Sequence, residues 1–255
     1  MIIDAHAHIG DRVGIWGRKR HAPDEHVRLL DASGIDKSVV FSVSSGLLAP
    51  QDFVAANDYV INGVREFPGR LIGFCMVNPM HGPAAIEEIR RTLDGHGLRG
   101  IKLHPPLHGF YFADSPFVYP VVEEAIRRDV PITFHTDFNS LCSSPYQVCG
   151  LARRYPEAKL ILAHMGLDPQ IMRELYPLVA EFKNVYLDTS ATPDSPKTVI
   201  ALPVERLGAG RLLMGSDAPG MDPRLAVMKV RLAGLSPVDE AAVLGGNVAR
   251  LLKLG

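Results

Sequence analysis

Short apolar or β-branched runs alternate along the chain with longer segments in which apolar residues recur at helical spacing. The runs begin about every 30 residues, which is the length of one strand–helix–strand unit. The nearly continuous apolar run at 159–163 is typical of parallel strands that are buried on both faces. The pattern predicts strands at 2–8, 37–43, 71–77, 99–104, 130–135, 159–164, 184–189 and 211–216.

Amphipathic helices are predicted between these strands, for example over 83–94 and 116–128. A further helix is predicted at 236–253, where Ser-Pro-Val-Asp-Glu forms a capped start. Eight such units predict an α/β fold, a (β/α)8 barrel with an extra C-terminal helix, built as a single domain over 1–255. A doubly wound open sheet is the alternative, but the chain has no Gly-x-Gly-x-x-Gly fingerprint.

Composition narrows the class of protein. The 255 residues are 47% hydrophobic and 22% charged, with a formal net charge of −1. That balance excludes a disordered chain and gives no positive field to gather nucleic acid. Because the start of the chain has no basic, apolar leader and no run is long enough to span a bilayer, we expect a cytoplasmic protein without a membrane partner. Four histidines in or beside predicted helices, His21, His26, His81 and His96, are expected to be solvated.

Ionisable residues stand where the predicted strands end. In a barrel these ends form one rim, which carries the active site. His6 and His8 are two residues apart, so both side chains face the same side of their strand. Imidazole and carboxylate together are the ligands of zinc, iron or manganese sites that keep a position open for water. The rim set is His6, His8, Lys102, His104, His135, His164 and Asp217.

Each residue has an ordinary structural explanation when it is taken alone. A single histidine at a strand end is commonly a polar rim residue, and Asp217 could cap the next helix. Charged groups inside a barrel are costly unless they are paired or bind a metal. Because several ionisable groups share one rim, the sequence predicts a metal site.

Seven short motifs then resemble the amidohydrolase-related family, in the branch that includes aminocarboxymuconate-semialdehyde decarboxylase. They cover the whole chain in order, and together they are specific. The resemblance implies a distorted TIM barrel that holds one divalent ion, with zinc expected first and manganese or iron(II) as alternatives. The motifs are D-A-H-A-H at 4–8, G-I-K-L-H-P at 100–105, F-H-T at 134–136, L-A-H-M-G at 162–166, N-V-Y-L-D-T-S at 184–190, G-S-D-A-P at 215–219 and G-G-N-V-A-R-L-L at 245–252.

The resemblance also implies residue roles. The metal ligands are expected to be His6, His8, His135 and Asp217. His164 matches a histidine that activates water or polarises substrate, and Asp217 is also a candidate proton carrier, so these two are the expected catalytic residues. Lys102 stands near the place of a lysine that is carboxylated and bridges two metals in other members. We favour an unmodified Lys102 that pairs with a substrate carboxylate or with an internal acid, and the bridging role is the alternative.

We expect a metal-dependent hydrolase, in which a metal-activated water attacks an ester, lactone or amide carbonyl of a small organic acid. The first alternative is a metal-dependent, non-oxidative decarboxylase of an aromatic or unsaturated carboxylic acid. The second is a barrel without catalytic activity.

Candidate substrate contacts are assigned from position on the expected functional face. His104 follows the fourth strand, Arg12 and Trp16 lie in the loop after the first, and Phe138 follows the fifth. An arginine would suit an anionic substrate, since a guanidinium binds a carboxylate with two parallel hydrogen bonds. The only partners expected are a small-molecule substrate and a second copy of the chain in a homodimer.

Overall fold

The computed structural model describes residues 1–10, 20–42, 47–108, 112–167, 169–193 and 195–254. Parallel strands alternate with helices, as the sequence predicts. The strands are β1 (Ile3–His8), β2 (Lys37–Phe41), β3 (Leu71–Gly73), β4 (Cys75–Met76), β5 (Ile101–Leu103), β6 (Pro131–His135), β7 (Lys159–Ala163), β8 (Val185–Asp188) and β9 (Leu212–Leu213).

Most of the helices begin at a proline, where the missing N–H has no helical partner to lose. The predicted C-terminal helix is one helical run from Pro237 to Leu251, with a π-helical turn in its middle. The helices are α1 (Pro23–Ser33), α2 (Pro50–Glu66), α3 (Pro83–Arg90), α4 (Tyr119–Arg128), α5 (Pro145–Arg154), α6 (Pro169–Ala180), α7 (Leu202–Leu207), α8 (Pro223–Arg231), α9 (Pro237–Ala241) and α10 (Asn247–Leu251). Among the described helices, none is both long and apolar enough to cross a membrane.

We call each of the eight strand positions around the barrel a stave, and the third stave differs from its prediction. The expected strand 71–77 is divided at Phe74 into β3 and β4. The Phe74 N–H donates to Val40 in β2, and the next N–H, that of Cys75, donates to Gly100 beside β5. Successive N–H groups of an inner strand point to opposite neighbours, so this stave is bonded to both and joins sheet β1–β3 to sheet β4–β9.

The first and last staves close the barrel. The Ala5 N–H donates to the Met214 carbonyl at 2.8 Å, and Ala7 pairs in parallel with Ala218. This closure, with the alternation of strands and helices, confirms the (β/α)8 barrel.

Alternate strand residues separate two environments. Outward side chains such as Ile101, Leu103 and Phe134 belong to the large core beneath the helices. Inward positions continue the alternation, with Lys102 between the first two and His135 after the third. Burying each large apolar side chain stabilises the barrel by roughly 1.5–3 kcal/mol, which allows the inward rim positions to carry polar groups.

Two of the histidines expected to be solvated are instead buried. His21 and His26 are 2% and 0% exposed, and their rings meet edge to face with centroids 5.3 Å apart. His26 lies on the buried stripe of α1, where burial lowers its pKa to about 3. The expectation failed because a neutral imidazole packs as an aromatic ring.

Candidate metal centre

β1 brings His6 and His8 to the rim of the barrel. Both are almost completely buried, with ring centroids 5.1 Å apart. The register of β1 on β2 shifts between Asp4 and Ala7. At that irregularity the buried Asp4 carboxylate accepts the backbone N–H groups of His6 at 3.0 Å and Ser216 at 2.9 Å. Asp4 therefore holds the first stave against the last at the point where the two histidines emerge.

Asp217 follows the last stave in a left-handed backbone conformation, with φ of +68°. Its N–H donates to the His6 carbonyl at 2.8 Å, which fixes its place beside β1. Its Oδ1 lies 3.0 Å from His8 Nε2 and 3.3 Å from His6 Nε2. Residues other than glycine rarely adopt this conformation, and such strain is common where a side chain must be aimed at a site.

Asp188, the last residue of β8, orients His6. Asp188 Oδ2 lies 2.5 Å from His6 Nδ1, and Asp188 Oδ1 accepts the Ser190 N–H at 2.8 Å. A carboxylate only accepts, so Nδ1 carries the proton and Nε2 of the neutral ring carries a lone pair. That Nε2 is buried without a hydrogen-bond partner among the described residues, and it faces the Asp217 carboxylate. Two acceptors facing each other repel unless a cation lies between them.

His164 is oriented in the same way. Its Nδ1 donates to the Ser190 carbonyl at 3.2 Å and lies 3.0 Å from the Ser190 hydroxyl, so Nε2 is again the lone-pair nitrogen. Ligand atoms of His6, His164 and Asp217 all lie within 4.8 Å of one another. Two oriented imidazoles and a carboxylate suit Zn²⁺, Mn²⁺ or Fe²⁺. The residues present therefore fit a divalent metal ion.

His135 and His104 form the neighbouring wall. Their rings stack with centroids 3.9 Å apart and planes 9° from parallel. His135 also contacts His164, at a centroid distance of 5.0 Å. Burial lowers the pKa of both stacked rings well below the usual value, so they pack as neutral imidazoles. The structure thus brings His135 to the site against His164, and its role as a ligand stays a prediction.

The charges at the centre are set by burial and by near neighbours. Burial lowers the pKa of His6, His8 and His164, so these rings are neutral at pH 7. Burial alone would raise the pKa of Asp217, but the hydrogen bond with His8 and the surrounding imidazoles hold it below its ordinary value. Asp217 is therefore a carboxylate. Burial raises the pKa of Asp188, which nevertheless keeps its contact with His6.

The other residues expected at the site are one buried lysine, one half-buried phenylalanine and two residues that the structure does not describe. Lys102 is 1% exposed inside the barrel, with Nζ 4.7 Å from the Phe41 ring centroid, and burial lowers its pKa to about 8. Phe138 is half-buried and packs across Gly166, where an added Cβ would lie 2.3 Å from its ring. Phe138 therefore packs the loop after β6 against the segment that follows β7. Arg12 and Trp16 lie outside the described residues.

Asp188 and Ser190 are site residues that sequence reasoning missed. They lie in the N-V-Y-L-D-T-S motif, and only its resemblance was used. The available signal was the two-residue alternation of the strand at 184–189, which places Tyr186 and Asp188 on the inward side.

Sequence comparison gives both a family and relatives. The model of the amidohydrolase family matches residues 3–254. The gamma-resorcylate decarboxylase of Polaromonas sp. (strain JS666 / ATCC BAA-500) is 25% identical, over 91% of this chain and 87% of its own. The 2-amino-3-carboxymuconate-6-semialdehyde decarboxylase of Dictyostelium discoideum is 26% identical, over 56% of this chain and 48% of its own.

Comparison of structures agrees on the fold. The crystal structure of dihydroxybenzoic acid decarboxylase from Polaromonas sp. JS666, with bound manganese and the inhibitor 2-nitroresorcinol, superposes with a TM-score of 0.81 at 21% identity. The match covers 99% of this chain and 97% of that one. The expectation of a hydrolase is wrong, because these relatives are decarboxylases. It failed because a metal held by histidines and aspartate serves both reactions, and the ligand set alone does not distinguish them.

Proposed function

The chain belongs to the amidohydrolase family, as an enzyme of that superfamily, and from this premise we propose that it is a metal-dependent, non-oxidative decarboxylase. Its substrate class is an aromatic or unsaturated carboxylic acid. The observation that carries the proposal is the alignment of an aromatic-acid decarboxylase with 91% of the chain. The buried cluster of oriented imidazoles and a carboxylate supports it, because it offers a site for the ion that a related decarboxylase holds.

We assign three ligands from the geometry: Nε2 of His6, Nε2 of His8 and the carboxylate of Asp217. Asp217 Oδ1 lies 3.3 Å from His6 Nε2 and 3.0 Å from His8 Nε2. Because His8 Nε2 donates its hydrogen bond to Asp217, the ring proton would move to Nδ1 when this nitrogen binds the ion. His164 and His135 are the candidates for a further ligand, and the cluster within 4.8 Å favours His164. Zinc is the ion expected first from the sequence, and the donor set suits zinc and manganese equally. The proposal is therefore one divalent ion of either kind.

When bound, a divalent ion at this site stabilises negative charge that develops on the substrate. Decarboxylation replaces a C–CO₂ bond by a C–H bond, so the site must deliver one proton to carbon as CO₂ leaves. Asp217 is ionised and can accept a proton, and His164 Nε2 offers a second lone pair for a proton where His135 is the further ligand. One of them therefore takes up a proton, from substrate or water, before giving it to carbon.

Asp188 and Ser190 act through the histidines. Asp188 fixes the proton of His6 on Nδ1, and the Ser190 carbonyl does the same for His164. The Ser190 hydroxyl lies 3.1 Å from His6 Nδ1 and 3.0 Å from His164 Nδ1, so it ties the two rings together. These positioning residues present both Nε2 lone pairs to the same point before any ligand arrives.

The test is release of CO₂ from a panel of carboxyl-labelled aromatic and unsaturated acids by enzyme loaded with zinc or manganese. Asp217→Asn should lose at least about 100-fold in kcat, because it removes a proposed ligand that is also one of the two candidate proton carriers. Asp31→Asn, on the surface beside Arg70, is the matched control and should keep full activity. If metal-loaded enzyme released no CO₂ from any member of the panel, the proposal would be overturned.

A further inference from the structure

Two polar groups inside the barrel have no hydrogen-bond partner in the part of the chain that the structure describes. Lys102 on β5 and Thr133 on β6 are neighbours in the strand register, and both are 1% exposed. Lys102 Nζ and Thr133 Oγ1 make no hydrogen bond with the described part of the chain. Buried polar groups are nearly always hydrogen-bonded, and an unpaired buried ammonium is especially costly. Such a pair requires an explanation.

The ammonium lies on the floor of the metal centre. Its Nζ is 4.7 Å from the centroid of the Phe41 ring, which in turn lies 4.8 Å from the His6 ring and 4.9 Å from the His8 ring. Lys102 and Thr133 each stand two residues before a stacked histidine, His104 and His135, so both pairs face the same space. The unpaired groups therefore belong to the proposed active site.

The charges leave Lys102 uncompensated once a metal is bound. The carboxylates whose charge acts on Lys102 are Asp188 and Asp217, and neither forms an ion pair with it within the described residues. Asp188 is committed to His6, and Asp217 to the proposed ion. Two negative charges balance a divalent ion, so the ammonium remains as one excess positive charge. The site is therefore complementary to an anion beyond the groups that the protein supplies.

The reaction indicates which anion this is. An ammonium bound to the carboxylate that leaves would stabilise the ground state and lose its partner as neutral CO₂ forms. An ammonium bound to an oxygen that stays on the substrate keeps its partner throughout. The contact between them becomes stronger as the electrons of the broken bond flow back towards that oxygen. Only the second arrangement lowers the barrier.

We propose that Lys102, assisted by the Thr133 hydroxyl, binds a second anionic oxygen of the substrate, one that is retained when CO₂ leaves. This inference rests on the proposed decarboxylation and narrows its substrate class to carboxylic acids that carry a second anionic group, such as another carboxylate. Lys102 is thereby a substrate-binding residue in its unmodified form.

Binding of simple probes tests the proposal without turnover. Isothermal titration of metal-loaded enzyme should show that one of the three benzenedicarboxylate isomers binds at least about 10-fold more tightly than benzoate. Lys102→Met should weaken that dicarboxylate by about 10- to 100-fold while changing benzoate less than about threefold, since charged hydrogen bonds contribute on this scale. Thr133→Val, which keeps the shape of the side chain, should weaken the dicarboxylate about 3- to 10-fold.

Lys183→Met is the matched control, because Lys183 is exposed on the surface, and it should change neither affinity. Equal losses for benzoate and dicarboxylate in Lys102→Met would overturn the proposal, as would no loss for either or no preference for a dicarboxylate in the wild type. If Lys102→Met fails to fold, Thr133→Val decides by the same criterion. Absence of CO₂ release with the dicarboxylate preference intact would refute the decarboxylation alone.

Discussion

Asp188→Asn tests how far the metal centre depends on the orientation of His6. In the wild type, each carboxylate oxygen of Asp188 has its own donor, His6 Nδ1 for Oδ2 and the Ser190 N–H for Oδ1. Asparagine has one oxygen and one NH₂ group in their place. If its oxygen keeps the Ser190 N–H, its NH₂ group faces His6 Nδ1 and forces the ring proton onto Nε2. The lone pair that faces Asp217 is then lost.

The expected size of the effect follows from this contact. A buried hydrogen bond to a charged group contributes roughly 1.5–3 kcal/mol, and every 1.4 kcal/mol is about tenfold in a binding constant. Removal of a carboxylate that orients a metal-binding histidine costs about 10- to 100-fold in metal affinity. We therefore expect Asp188→Asn to bind zinc or manganese about 10- to 100-fold more weakly than the wild type.

The assay is competition of metal-free protein with a chromophoric chelator of known affinity. Asp31→Asn provides the control, because Asp31 is exposed and pairs with Arg70 on the surface. The same titration on Ser190→Ala separates the two supports, since its backbone carbonyl still fixes His164. An Asp188→Asn affinity within about twofold of the wild type would refute the reasoning that the proton on His6 Nδ1 controls the site.

Three further predictions concern neighbouring positions. His164→Asn should lose more bound metal than His135→Asn by elemental analysis, since within the described residues it is His164 that clusters with His6 and Asp217. The reverse order would favour His135 as the further ligand. Gly215→Ala should lower both Tm and metal affinity, because the added Cβ would lie 2.1 Å from Asp188 Oδ1. The control is Gly95→Ala, whose Cβ meets open space and which should leave metal affinity unchanged. Equal metal affinities of the two variants would contradict this prediction. Because burial lowers the pKa of Lys102 from 10.5 to about 8, the unfolded chain binds more protons between those pH values, so wild-type stability rises with pH across that window. Metal-free Lys102→Met should therefore be more stable than wild type below pH 8 by up to about 3 kcal/mol in urea unfolding, and its advantage should shrink towards pH 10.5; a difference independent of pH would refute this.

The barrel could be predicted because its strands are buried on both faces and recur with a regular period. For seven of the eight predicted strands, the structure has a single uninterrupted strand at the predicted place. The remaining one, 71–77, is interrupted at Phe74, directly after Gly73, and an isolated glycine within a strand pattern is a signal of such an irregularity. The stave nevertheless keeps both neighbours at this point, since the Phe74 N–H reaches Val40 and the Cys75 N–H reaches Gly100. Where regular pairing with each neighbour begins and ends depends on the register of distant strands, which the local pattern does not contain.

The metal centre was predictable only in part. The two-residue spacing of His6 and His8 was enough to place them together, and the same rule applied to 184–190 would have found Asp188. The relative places of His135 and His164 could not be derived in this way. His164 has φ of +64°, outside the strand geometry on which the alternation rule rests. Its orientation comes from the Ser190 carbonyl, a contact between separate staves.

The seam between the first and last staves links the two ends of the chain. His6 and His8 are available as soon as the N-terminal segment is made, but Asp217 completes their cluster only after more than two hundred further residues have been synthesised. An ion held across this seam would bind the closed barrel more tightly than the unfolded chain, which lacks the assembled cluster, so metal occupancy would favour closure by mass action. Metal uptake would accordingly show that the first and last strands have come together. Removal of the ion would weaken the barrel first at the contact between these two strands.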